Sequence, residues 1–238
     1  MELDVSLFEA DANIGTADLG EDDLALPWLK IKSGQEDDIE GKKGDIYNTA
    51  TGEIFAGDEG IRVIPCAYQR RFIEWAPRGM GTGAPVNIYE PGDVMPQTVR
   101  DENNKDAIVD GDGNYIEETH SHFVLVLRGE AFEPAIVAMK STQLKKSRKW
   151  NTMIVNRTMV NSEGKIFRPA RCSHVYKLTT TAESNSKGNW HGWEVSCEGP
   201  VESMGLYQEA KAFNEQVASG DVEVKHVEDG EEGGNSVF

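Results

Sequence analysis

At 238 residues, with 38% hydrophobic and 8% aromatic side chains, the chain suffices for one sizeable core plus lengths of loop or tail. A formal net charge of −17 argues against a uniformly polyanion-binding surface. Three cysteines without CxxC spacing (Cys66, Cys172, Cys197) and no N-terminal apolar signal region predict an intracellular protein with reduced thiols, and no apolar run approaches the ~20 residues a membrane-spanning helix needs.

Taken in chain order, residues 1–24 read as an acidic arm, with eight acids and no Lys or Arg up to Asp23. Ordered structure is predicted from "LPWLKIKSGQ", where Leu29 and Ile31 alternate with Lys30 and Lys32 as in a half-buried strand. "GDIYNTATGEIF" predicts a hairpin, Ile46 and Tyr47 against Ile54 and Phe55 around Thr51-Gly52. In "GIRVIPCAYQRRFIEWAPRG" two strands are expected, Arg62 to Ala67 and Tyr68 to Trp75, with Pro65 confined to an edge or bulge.

From Gly79 to Glu118 the richness in Gly, Pro, Asp and Asn predicts an extended insertion with little core of its own. "DGDGNYIEE" places Asp110, Asp112 and Asn114 at the first positions of a calcium loop, but Tyr115 stands where glycine is needed and Ser121 where the bidentate acid is needed, so a plain Asp-Gly turn is read there. Strands resume at "SHFVLVLRG" and "EPAIVAMK", and Ser141 or Thr142 is placed to cap a helix running to about Val155 with Leu144, Trp150 and Ile154 as its apolar positions. "SHVYKLTTT" and "WHGWEVSCEGPV" predict a strand pair in which Trp193, Val195 and Cys197 share the core face and Trp190 points the other way. Leu206, Ala210, Phe213 and Val217 then form the apolar stripe of a helix that Gly220 ends. Many strands with one helix among them and one after them favour a small antiparallel barrel or sandwich.

No GxSxG elbow, phosphate-cradling glycine loop or HExxH is present, so a non-enzyme without cofactor is expected. His120 with His122 and Cys172 with His174 alternate on strands and are the metal candidates weighed; lacking CxxC or HxxxH spacing, they are read as ordinary strand residues and no metal is assigned.

The charge is segregated. Between Lys140 and Lys177 ten Lys and Arg face one acid, Glu163, a net of +9, whereas Asp221 to Phe238 carries six acids and one lysine. Cations that track phosphates, interleaved with aromatic faces for base stacking, are the signature of single-strand binders. The sequence supplies it twice: Arg70, Arg71 and Arg78 among Tyr68, Phe72 and Trp75, and the basic window with Trp150, Phe167 and Tyr176, followed by Trp190 and Trp193.

The acidic tail "HVEDGEEGGNSVF" ends on Phe238 beside the free carboxylate, and in this it resembles the tails of bacterial and phage single-stranded-DNA-binding proteins. "GDIYNTATGEIF", "VIPCAYQRRFIEW", "AMKSTQLKKSRKWN" and "GWEVSCEGPV" with "LYQEAKAF" are similar to phage proteins of this type over residues 26–220. The resemblance implies an oligonucleotide/oligosaccharide-binding (OB) barrel with a helix after its third strand. Since about eight strands are expected, this becomes a mainly β, elaborated antiparallel OB-like barrel (25–220), with a C-terminal helix and disordered acidic ends (1–24, 221–238). It further implies sequence-nonspecific single-stranded DNA binding in phage replication and recombination in the host cytoplasm. The expected phosphate contacts are Lys140, Lys145, Lys146, Arg148 and Lys149, extended by Arg70, Arg71, Arg168 and Arg171; the expected stacking residues are Trp75, Trp150, Tyr176 and Trp190. Tail residues Glu228, Asp229, Glu231, Glu232 and Phe238 are expected to dock replication partners such as a DNA polymerase or helicase-primase, and a homodimer is allowed. The rival reading is a phage virion or assembly protein; a metal-dependent nuclease is a third.

Overall fold

The computed structural model describes residues 14–15, 26–34, 36, 39–77, 79–102, 104–129, 131–186, 188–222, 224 and 226. Arg78, nearly all of the acidic arm, and the tail residues Glu228, Asp229, Glu231, Glu232 and Phe238 lie outside them. The described residues form thirteen strands and two α-helices: β1 (Leu29–Ile31), β2 (Ile46–Asn48), β3 (Ile54–Phe55), β4 (Ile61–Trp75), β5 (Asn87–Tyr89), β6 (Thr98–Arg100), β7 (Asp106–Ile108), β8 (Tyr115–Arg128), β9 (Ala131–Lys140), α1 (Leu144–Val155), β10 (Met159–Val160), β11 (Ile166–Phe167), β12 (His174–Asn185), β13 (Gly188–Pro200) and α2 (Met204–Ser219). The protein is mainly β, and its strand ladders are antiparallel.

Two long strands organise everything else. The segment expected to form two strands is the single strand β4, because the register shift between Pro65 and Ala67 absorbs the proline's missing donor and the chain bends without breaking. β4 pairs with β8 from Val63↔Val126 to Trp75↔Tyr115. At one end this ribbon is flanked by β12 and β9, giving a body ordered β13-β12-β4-β8-β9. At the other end β5 joins β4 at Phe72–Glu74 and β7 joins β8 at Tyr115 and Ile116, with β6 outermost. The insertion is therefore a second sheet region, the arm, with a small core of Ile73, Trp75 and Tyr115. Its composition hid these strands because they are only three residues long. The Asp-Gly segment is a turn, with Asp110 and Asp112 at φ of 59° and 52°.

Period-two alternation gives the body a core on each face. Val63, Val124, Val126, Val137, Tyr176, Leu178, Trp193 and Val195 face one side, where β1, β2 and α1 add Leu29, Ile46 and Trp150. Ile64, Phe123, Leu125, Ile136 and Val175 face the other, covered by Ala210, Phe213 and Val217 of α2. The expected hairpin β2–β3 forms, in the register Ile46↔Phe55 and Tyr47↔Ile54, and its far end seats on β12: Thr180 N–H donates to Gly57 O at 2.8 Å. A Cβ on Gly57 would lie 2.1 Å from Gly44 O, so only glycine permits that approach. A parallel bridge Trp28↔Ile136 ties the start of β1 to β9.

Helix α2 starts on Ser203, whose Oγ accepts from Leu206 N, and stops on left-handed Gly220. Helix α1 departs from expectation at its start. Neither Ser141 nor Thr142 caps it; both lie in a 3-10 turn, and the flanking Gln143 instead accepts from the backbone N–H of Trp193 at 2.9 Å. None of the described helices is long and apolar enough to cross a membrane.

Candidate nucleic-acid interface

The basic window folds into α1, the β10–β11 hairpin and the start of β12. Its aromatic residues are mostly not available to a base. Trp150 is 0% exposed, stacked on His122 with centroids 4.4 Å apart and tilted against Tyr176, which is 1% exposed. Trp75, at 2%, fills the arm core. The expectation that these three rings stack bases is corrected: each packs where apolar area was available to bury, a demand that outcompetes solvent exposure for the largest side chains. Trp190 is half-buried, its indole N–H donating to Glu183 at 2.9 Å, and is the one expected stacking ring with part of its surface open.

Folding also brings acids to the cations. Lys140 pairs with Glu117 at 3.0 Å, Lys146 with Glu183 and Glu194 at 3.0 Å each, Lys149 with Glu194 at 2.7 Å, Arg70 with Glu118 at 2.9 Å and Arg71 with Glu90 at 2.9 Å. Arg148 approaches Glu118 at 3.6 Å. These acids come from β8, β12, β13 and the residue after β5, distant in sequence from most of the cations they meet, so a window count of +9 overstates the field that the helix face presents. Lys145 and Arg168 are exposed and, among the described residues, form no ion pair.

Beneath α1 lies a buried polar chain that sequence reasoning did not foresee. Arg171, whose guanidinium holds only donors, gives one hydrogen bond to Asn151 Oδ1 and one to His122 Nδ1, both at 2.9 Å. His122 Nδ1 must therefore accept, so its proton sits on Nε2 and is donated to Ser147 Oγ at 2.8 Å. Ser147 in turn donates to His120 Nδ1 at 2.8 Å, and His120 Nε2–H donates to Glu118 Oε1 at 2.9 Å. Every link has one donor and one acceptor, and both imidazoles are neutral. Burial pushes the His122 pKa well below its ordinary value, helped by the Arg171 cation. Burial also lowers His120, against the pull of Glu118. Burial raises the Glu118 carboxyl, but the bond from His120 and the cations of Arg70 and Arg148 outweigh it and hold it below its usual range. Burial brings Arg171 down to about 10, still cationic at neutral pH. Arg171 is thus a packing and anchoring residue, not part of a phosphate track.

The same chain answers where the metal candidates go. His120 and His122 hold Ser147 between them, while Cys172 packs on the opposite, α2-covered face and His174 meets Ser173 at 2.7 Å. Among the described residues, no group of three or more His, Cys, Asp or Glu gathers to hold a metal.

At the root of the tail, His226 packs over Trp28 with ring centroids 5.7 Å apart. Burial first, then the Lys140 and Arg71 cations, push its pKa down to about 4. The β10–β11 hairpin is the remaining part of the basic end. Its four strand residues, Met159, Val160, Ile166 and Phe167, are all exposed.

A family model described as Pam3 phage gp34-like protein matches residues 4–223. No curated protein and no solved structure matches the chain.

Proposed function

The chain belongs to the Pam3 phage gp34-like family, and from that premise we propose that it binds single-stranded DNA without sequence preference, through an OB-like body, in phage replication or recombination. The observation that carries this reading is where the fold puts the basic window. In the body order β13-β12-β4-β8-β9, the window runs from the last residue of β9 into the start of β12, with α1 between them. If β4, β8, β9, β12 and β13 are taken as OB strands one to five, the order is 5-4-1-2-3 and α1 fills the slot of the helix after the third strand.

The face of strands two and three, on which OB proteins commonly lay an oligonucleotide, is partly roofed by α2, with Phe213 against Phe123 at 6.3 Å. The proposed DNA path therefore runs along the rim: Lys145, Lys149 and Arg148 on α1, then Arg168 after the hairpin, with Trp190 as a flanking ring. His226 lies near Lys140 and Arg71, and the acidic residues that follow it in sequence are proposed to recruit a replication partner such as a polymerase or helicase-primase. The virion or assembly reading draws its support from the arm, where Met80 is 80% and Val94 95% exposed.

Anisotropy of a fluorescein-labelled oligo-dT, titrated with the full chain and with one lacking Asp221 to Phe238 at several salt concentrations, tests the proposal. Expected are preference for single strands over duplex, weakening with salt, and tighter binding without the tail. No binding by either protein at low salt overturns it in favour of protein contacts.

A further inference from the structure

The β10–β11 hairpin puts apolar side chains into water in a way that neither core explains. Met159 pairs with Phe167 and Val160 with Ile166 across two strands of two residues each. Opposed residues share a face, so Met159 and Phe167 present one side and Val160 and Ile166 the other. Exposures of 36%, 44%, 64% and 73% for Met159, Phe167, Val160 and Ile166 mean that both sides are wet.

So short a hairpin has almost no stability of its own, yet its turn is pinned. Asn161 Oδ1 accepts from Glu163 N at 3.0 Å and from Lys165 N at 2.9 Å, Gly164 N donates to Asn161 O at 3.0 Å, and Gly164 takes φ of 77°. A turn held in advance around unburied apolar groups is preorganised for something that covers them.

The charge around it selects the occupant. Of the four Arg and Lys from Val155 to Arg171, Arg171 is turned inward onto Asn151 and His122 and Lys165 pairs with the one acid, Glu163, at 2.9 Å, which leaves Arg157 and Arg168 in excess. Arg168 directly follows Phe167 and is exposed. A flat ring flanked by cations on a projecting finger suits a polyanion whose bases are unstacked; duplex DNA offers the charge without the free base face.

We infer that this hairpin is a base-contacting finger, in which Phe167, with Met159 beside it on the same face, stacks on a base of single-stranded DNA and Arg168 holds the adjoining phosphate. The inference rests on the single-strand reading above and deepens it by moving the base contacts from the buried tryptophans to an element outside the five-strand body.

The test uses the full-length chain, a fluorescein-labelled oligo-dT, and the variants Phe167→Ala, Phe167→Trp and Arg168→Ala. Phe167→Ala lowers affinity on the order of 10-fold with an unchanged salt slope, Phe167→Trp restores it, and Arg168→Ala flattens the slope by about 0.7. A bromodeoxyuridine-substituted oligomer photo-cross-links to the peptide spanning 159–168. Thermal melting stays at the wild-type value, because the hairpin lies outside both cores. If the wild-type chain binds but the variants match it and cross-links map elsewhere, the finger is overturned while single-strand binding stands. If the wild-type chain fails to bind at low salt, both fall. If Phe167→Ala splits an oligomer in light scattering and leaves oligo-dT affinity unchanged, the hairpin is a protein contact and the finger is again overturned.

Discussion

Val94 on the arm is 95% exposed and Ile166 on the hairpin 73%, so both projections carry apolar side chains into solvent. Their charges differ in sign. Residues 79–114 hold seven acids against two cations, a net of −5, while residues 155–171 hold one acid against four cations, a net of +3. Exposed apolar area alone says only that a surface is adhesive; the surrounding field decides for what. On the proposed reading, nucleic acid meets repulsion at the first region and attraction at the second, and a neutral or basic protein surface would suit the first.

The largest effect that sharpens this contrast is on stability. Trp150→Ala removes a fully buried ring stacked on His122 beneath the basic end, and should cost about 3–5 kcal/mol in urea unfolding. Trp75→Ala empties the arm's three-residue core and should instead loosen the arm alone, seen as faster amide exchange over 87–108 with β9 and β12 protected. Equal loosening of both regions would mean that the arm and the body are one cooperative unit.

Next is affinity. Lys145→Glu with Arg168→Glu should weaken oligo-dT binding roughly 10- to 100-fold at low salt. Asp110→Asn with Asp112→Asn on the arm should change it by less than about twofold. Comparable responses would break the electrical distinction between the two projections.

Acid should act on the body and spare the arm. His120, His122 and His226 all titrate lower in the folded chain than in the unfolded one, chiefly through burial. As pH drops below about 6.5 the unfolded state takes up these protons first, so stability present at neutral pH declines down to about 4, the value for His226. Residues 79–114 contain no histidine. Urea midpoints should fall steadily between about pH 7 and pH 4.5, with α1 amides losing protection before those of the arm; a flat midpoint would rule out the neutral His120–Ser147–His122 arrangement. The smallest effect is Lys149→Ala: its pair with Glu194 is exposed, and under ~1 kcal/mol of stability should change.

Much of the body could be read from local pattern. Alternation placed Trp193 and Val195 in the core, the Thr-Gly signal set the β2–β3 hairpin, and the four-residue stripe ending at Gly220 gave α2. What could not be read depended on partners far along the chain. Glu117, Glu118, Glu183 and Glu194 look like ordinary strand acids until the fold delivers them to Lys140, Arg148, Lys146 and Lys149. Trp150 sits among lysines in sequence; helical spacing put it with Leu144 and Ile154 on the apolar stripe, yet the neighbouring cations made it read as a stacking ring as well, and the structure buries it. The β10–β11 hairpin was missed because strands of two residues carry no period.

The continuity of β4 and β8 has a mechanical consequence. Their pairing runs from Val63↔Val126 in the body, through the single register shift at Pro65–Ala67, to Trp75↔Tyr115 in the arm, roughly 40 Å of ribbon at about 3.3 Å per residue. Such a ribbon is a cantilever: beyond the shift at Pro65–Ala67 its ladder is regular, and a load applied at its tip is delivered to its root as twist. Arg70 and Glu118 sit between body and arm, and Glu118 accepts from His120, which is bonded in turn to Ser147 on α1. Whatever grips the arm therefore has a lever on the basic helix.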